Sequence, residues 1–171
     1  SEPQLQLRLP TERYYEEEGR AELTPRDFGI LMHRVFENAA TTDEIYTAIE
    51  AMTQDGVLDE KEAPHLQELV EKALADPVTA EWFGGRWQVV RNENEIILPG
   101  SGTTRRPDRV MTDGERAVVV DYKFGDRETA RHRKQIREYL RLLRQMGYTR
   151  TEGYLWYVRL GRTERVEEKE D

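Results

Sequence analysis

The stretch that most constrains the fold runs from Arg106-Pro107-Asp108-Arg109-Val110 to Ala117-Val118-Val119-Val120-Asp121-Tyr122-Lys123-Phe124-Gly125. It reads as a strand, an Asp113-Gly114 hairpin turn and a second strand. Side chains alternate across a strand, so Asp121 and Lys123 share one face and Tyr122 takes the other. With Asp108 on the neighbouring strand, two carboxylates and an ammonium converge near one end of the hairpin. Close carboxylates repel unless a cation joins them, and hard oxygen ligands suit Mg²⁺, which keeps several waters and takes further ligands from substrate phosphate. The expected chemistry is phosphodiester cleavage.

At 171 residues the chain is expected to form one domain with a real core. It has no cysteine, which excludes disulfides, thiolate metal sites and cysteine nucleophiles. No apolar run approaches membrane-spanning length and no basic-then-apolar leader opens the sequence, so the expected location is cytoplasmic. The first residue is Ser1 rather than methionine, and a processed chain or a fragment of a longer protein is expected. A net charge of −8 argues against nucleic acid only if charge is evenly spread. From Lys123 to Arg150, however, nine cations face three acids, a local balance of about +6. Such a basic surface is what a phosphate backbone needs, because neutralised phosphates release counterions whatever the base sequence.

Along the chain, residues 1–23 show no sustained period and read as an arm or linker, with a short strand at Leu5 to Leu9. Thr24-Pro25-Arg26-Asp27 is a helix start, and the helix Pro25 to Ala40 puts Phe28, Leu31, Met32, Val35, Phe36 and Ala39 on one apolar face. His33 and Glu37 fall together at its edge, one turn apart, and Gly29 leaves open space beside the His33 ring. Further helices are expected at Asp43 to Gln54, capped by Thr42, at Asp59 to Asp76, and at Pro77 to Phe83, so that residues 24–85 form a helical layer. A strand Arg86 to Leu98, turned by Pro99-Gly100-Ser101-Gly102, leads to the Asp108 strand. After the hairpin come a long helix, Arg127 to Met146, with Ile136, Tyr139, Leu140, Leu143 and Met146 as its buried stripe, and a last strand, Gly153 to Leu160. Residues 86–160 thus form the catalytic sheet and helix, and residues 161–171 a frayed, charged tail. Trp82, Trp87 and Trp156 read as core or sheet-packing residues, and His65 and His132 as surface residues.

An isolated Asp-x-Lys pair on a strand is usually just solvated, and a lone helix-edge histidine is usually no ligand. The order of the motifs carries more. Gly29-Ile30-Leu31-Met32-His33-Arg34-Val35-Phe36-Glu37, Arg106-Pro107-Asp108-Arg109-Val110, Val120-Asp121-Tyr122-Lys123-Phe124-Gly125, and Gln135 with Tyr139 one turn later together resemble the PD-(D/E)xK nuclease superfamily. Within it they look closest to the RecB/AddA-type nuclease domain at the C-terminus of helicase-nucleases, although proline stands before Asp108 where that family often has glycine. The resemblance spans about Thr24 to Leu160. It implies an α/β (α+β) fold: a restriction-endonuclease-like mixed sheet in the order helix, strand, strand, strand, helix, strand, with a helical insertion after the first helix.

The resemblance also implies roles. His33, Asp108, Asp121 and the backbone carbonyl of Tyr122 would hold Mg²⁺, with Mn²⁺ as a substitute, and Asp108, Asp121, Lys123, Gln135 and Tyr139 would be catalytic. A lysine with an ordinary pKa near ~10.4 is a poor base at pH 7, so Lys123 is expected to act electrostatically. Gln135 and Tyr139 would contact the phosphate or the lysine, and Arg127, Arg131, Arg133, Lys134 and Arg137 would track the DNA backbone. Glu93 and Glu95 are both near enough in the sheet to be extra ligands, and the sequence leaves the choice open. The expected partners are DNA, single-stranded ends in particular, and a helicase motor. The chain has no G-x-x-x-x-G-K-[ST] loop to be that motor itself. The rivals are a nuclease-like fold that binds DNA or a partner without cutting, and a scaffold whose acidic helical layer docks a partner.

Overall fold

The structure, a computed structural model, describes residues 22–96, 106–125 and 130–169, together with the backbone of two short antiparallel strands, β1 (Tyr15–Glu16) and β2 (Gly19–Arg20). The strand expected at Leu5 to Leu9, the turn at Pro99 to Gly102 and the position of Arg127 lie outside the described residues.

Helix α1 (Pro25–Glu37) starts as its sequence dictates: Thr24 and Asp27 form a reciprocal capping box and Pro25 occupies the first turn. Its apolar face is buried from Phe28 to Phe36. Helix α2 (Thr42–Gln54) is capped by Thr41, whose hydroxyl accepts from Glu44 N, one residue before the expected cap. Helix α3 (Glu62–Ala73) begins three residues after Asp59, whose carboxylate instead accepts from the backbone N–H groups of Lys61 and Glu62. Helix α4 (Pro77–Trp82) follows an Asp76 cap.

Among the described residues the main sheet has five strands in the order β3 (Val89–Asn92), β4 (Arg109–Asp113), β5 (Arg116–Lys123), β6 (Arg150–Tyr157) and β7 (Arg162–Val166). Only β5 and β6 pair in parallel, joined by the crossover helix α5 (Ala130–Gln145). The β4–β5 turn is Gly114-Glu115, one residue later than expected, and Gly114 supplies the positive φ of 59° that a tight hairpin needs.

β5 is central because both its faces are apolar. Val118, Val120 and Tyr122 meet Phe36, Trp82 and Trp156 under α1 to α4, while Ala117 and Val119 meet Ile136, Tyr139 and Leu140 under α5. Gly153 on β6 lets α5 sit this close: a Cβ there would lie 2.4 Å from Ile136 Cγ2. The result is the expected α+β sheet with flanking helices, consistent with a restriction-endonuclease-like core.

Several expectations fail locally. The first strand stops at Asn92, because Glu93–Glu95 turn into a 3₁₀ helix closed by a box in which Glu95 accepts from Asn92 N. Met146 is 48% exposed, past the end of the buried stripe, and Leu142 is buried instead. Leu160 lies beyond the end of β6 and is exposed. Trp87, as expected, packs against the core as a sheet-packing residue at its edge, half-buried, with its indole donating to Glu81 O beneath the Arg116 guanidinium. The expected frayed tail contains β7, tied to α5 by Arg133–Glu164 and anchored by buried Val166.

Candidate active site

The candidate residues gather where α1 crosses the ends of β4 and β5. Asp108 occupies the bend immediately before β4, and its position is set by the chain on both sides. Its backbone N–H donates to Asp121 Oδ1 at 3.0 Å, and its Oδ2 accepts from Tyr122 N at 2.7 Å. The two acids are thus latched to one another through backbone amides. Asp121 is buried and Lys123, two residues on, is half-buried on the same strand face.

From the other side α1 delivers His33. Its Nε2 lies 3.3 Å from Asp108 Oδ1 and its Nδ1 3.4 Å from Glu37 Oε2, the neighbour expected one turn on. Phe124, not open space, fills the gap that Gly29 leaves: a Cβ at Gly29 would touch Phe124 at 3.4 Å, and the Phe124 and Tyr122 rings stand edge-on to the imidazole. The ring of His33 is thereby wedged toward the acids.

Glu93 and Glu95 are placed differently. His33, Glu93 and Asp108 each offer a ligand atom, all within 4.8 Å of one another, whereas Glu95 is exposed and spent on capping Asn92. The 3₁₀ turn that cut β3 short is what aims Glu93 here. Burial alone would push His33 down, but hydrogen bonds and charge from Asp108 and Glu37 push it up to about 10. Glu93 is pushed up by burial and by the Asp108 carboxylate. The carboxylates gathered round the imidazole favour positive charge at this position. One imidazole and several carboxylate oxygens fit a small, hard divalent ion.

On α5, Gln135 is half-buried, but Tyr139 is fully buried in the α5-side core, which removes its ring from direct contact with DNA. The arginines expected along the DNA path divide. Arg133 grips Glu164 of β7 with two nitrogens, Arg137 donates to Glu167 O, and Arg141 and Arg144 pair with Glu138 and Glu168, while Arg131 and Lys134 are exposed. Of the two other histidines, His65 is exposed against the Phe28 ring and His132 is half-buried.

The family model of the PD-(D/E)XK nuclease superfamily matches residues 4–171. The chain belongs to this superfamily. No curated protein matches it. As a PD-(D/E)XK nuclease it falls among phosphodiester hydrolases that use divalent metal ions and act on DNA, and the His33–Glu93–Asp108 cluster is an acidic group suited to such an ion. Arg109, adjacent to Asp108, escaped the sequence reading. The available signal was an arginine at an inward-facing strand position, in register with Val120.

Proposed function

We propose that this chain is the nuclease domain of a RecB/AddA-type helicase-nuclease, an Mg²⁺-dependent deoxyribonuclease that degrades DNA from ends in recombinational repair. The observation that carries the reading is one cluster: His33, Glu93 and Asp108 within 4.8 Å, with Asp108 latched to Asp121 on the strand that ends in Lys123. His33, Glu93, Asp108, Asp121 and the Tyr122 carbonyl would hold the ion. When bound, it would polarise the phosphate and lower the pKa of a coordinated water. Asp108 and Asp121 set the acidic walls, and Lys123 places a positive charge beside the phosphate as negative charge develops there. Gln135 orients the phosphate or the lysine, and Tyr139 steadies Gln135 from within the core. Arg131 and Lys134 meet the backbone of the incoming strand, with Arg127, Arg133 and Arg137 from the same region.

The link to a helicase motor rests on the motif resemblance, and a domain of this kind would work in the cytoplasm on ends unwound by that motor. No helix among the described residues is long and apolar enough to cross a membrane.

The test is cleavage of linear and circular DNA, single- and double-stranded, with Mg²⁺ or Mn²⁺. Linear single strands should be degraded and circles spared, and Asp121→Ala and Lys123→Ala should each lower the rate by roughly 10²-fold or more. Wild-type cleavage by Asp121→Ala would overturn the site. Cutting of circles as fast as linear strands would overturn the exonuclease reading.

A further inference from the structure

Arg109 is completely buried, and its guanidinium is answered by carbonyl oxygens and the neighbouring Tyr122 hydroxyl rather than by a carboxylate. Nη1 donates to Ala39 O at 2.6 Å, and Nη2 donates to Ala40 O and Trp82 O at 2.7 Å each. The guanidinium carbon lies 3.9 Å above the Phe83 ring. Ala39 and Ala40 follow the end of α1, and Trp82 ends α4. A helix C-terminus leaves carbonyls without partners and carries partial negative charge, which the guanidinium answers at Trp82, while Ala39 and Ala40 bring it the link between α1 and α2.

Every segment that brings a ligand to the metal cluster meets at this residue. Asp108 precedes it in the chain. Asn92, which opens the 3₁₀ turn carrying Glu93, pairs with it across β3 and β4 and places its side-chain oxygen 3.5 Å from Nη1. His33 stands on α1, and the guanidinium holds Ala39, two residues beyond that helix, whose own N–H donates to Phe36 O within it. A helix transmits such a hold along its length, because its internal hydrogen bonds make it nearly rigid. If packing alone were at stake, an apolar side chain would fill the space with no desolvation penalty.

We infer that Arg109 is a positioning residue for the metal site, setting the spacing between His33, Glu93 and Asp108 by clamping α1, α4 and the β3 turn to the start of β4. This rests on the metal-site reading proposed above. A fork of fixed geometry is needed to span three carbonyls, so lysine does not replace it.

The experiment compares Arg109→Lys, Arg109→Met and Phe83→Leu with Leu66→Ala, a core variant on α3 that lowers stability without touching the clamp. Each is titrated with Mn²⁺ by calorimetry and assayed for DNA cleavage well below its melting temperature. Arg109→Lys should bind Mn²⁺ about 10- to 100-fold more weakly. Its kcat should fall at fixed Mn²⁺, with KM for DNA unchanged, and recover as Mn²⁺ is raised. Leu66→Ala should match wild type in all three. If both Arg109 variants fail to fold, Phe83→Leu decides: weaker Mn²⁺ binding supports the clamp, and unchanged binding overturns it. The inference also falls if folded Arg109 variants bind Mn²⁺ like wild type, or if Leu66→Ala with an equal loss of melting temperature loses as much affinity. Asp121→Ala, run in parallel, separates the two readings. Its retention of cleavage would sink the catalytic assignment and leave Mn²⁺ affinity to judge the clamp.

Discussion

His33 is ringed by carboxylates, and which of them matter to a metal can be separated one side chain at a time. Glu93 belongs to the donor cluster while Glu95 faces solvent, so Glu93→Gln should weaken Mn²⁺ binding by about tenfold and Glu95→Gln should leave it unchanged. Isothermal titration checks this, and equal effects of the two substitutions would contradict the assignment. Away from the site, Arg116 holds Glu152 and Glu81 together. Burial pushes the Glu152 carboxyl up, but the Arg116 guanidinium and the Tyr154 hydroxyl outweigh it and hold Glu152 below the usual carboxylate range. A depressed folded-state pKa contributes stability that is present above the unfolded value of ~4.3 and is lost as pH falls through the folded one. Glu152→Gln should therefore cost about 1 kcal/mol at pH 7, and the difference from wild type should vanish in acid. Urea melts at several pH values measure it.

Secondary elements were legible wherever a local signal sufficed. Thr24-Pro25-Asp27 announced α1, and the continuous run Val118 to Val120 fits a strand covered on both sides. What stayed hidden depends on residues far apart in the chain. Arg162-Thr163-Glu164-Arg165-Val166 reads as a polar tail, because its worth as a strand comes from pairing with β6 and from Glu164 meeting Arg133. Charged edge strands of this kind also discourage edge-to-edge association. In the site, the latch between Asp108 and Asp121 was foreshadowed by the hairpin, whereas the approach of Glu93 required the 3₁₀ turn and the carbonyls round Arg109 required the folded α1–α2 link and the end of α4. The seating of α5 on β6 is another such long-range fact, and it is testable. Gly153→Ala pushes a methyl toward Ile136 and Leu140, and overpacking of this kind should destabilise by about 1–3 kcal/mol. Denaturant unfolding with an unchanged m-value is the expected signature, and a wild-type midpoint would mean that α5 shifts freely.

At the scale of the whole molecule the sheet separates two chemistries and joins them at one end. The helical layer of α1 to α4 brings His33 to Asp108, and the α5 layer on the other face carries a dense row of cations. A net charge of −8 and a basic helix are compatible because most of that helix's arginines are answered internally by Glu138, Glu164 and Glu168. Internal pairing holds β7 and the following residues against α5, so those arginines contribute first to the fold. On the proposed DNA path, Arg131 and Lys134, exposed on the first turns of α5, are the cations expected to meet phosphates. Binding of single-stranded DNA in Ca²⁺, measured by fluorescence anisotropy against salt, should therefore show a shallow log–log slope, to which each neutralised phosphate adds roughly 0.7. Arg131→Ala and Lys134→Ala should each flatten that slope by about one such step and weaken binding alike for all sequences. Arg144→Ala should leave the slope intact and lower the melting temperature instead, since it unties Glu168 rather than a phosphate. A slope that responds to Arg144 and not to Lys134 would move the DNA path to the opposite end of α5, away from the metal cluster.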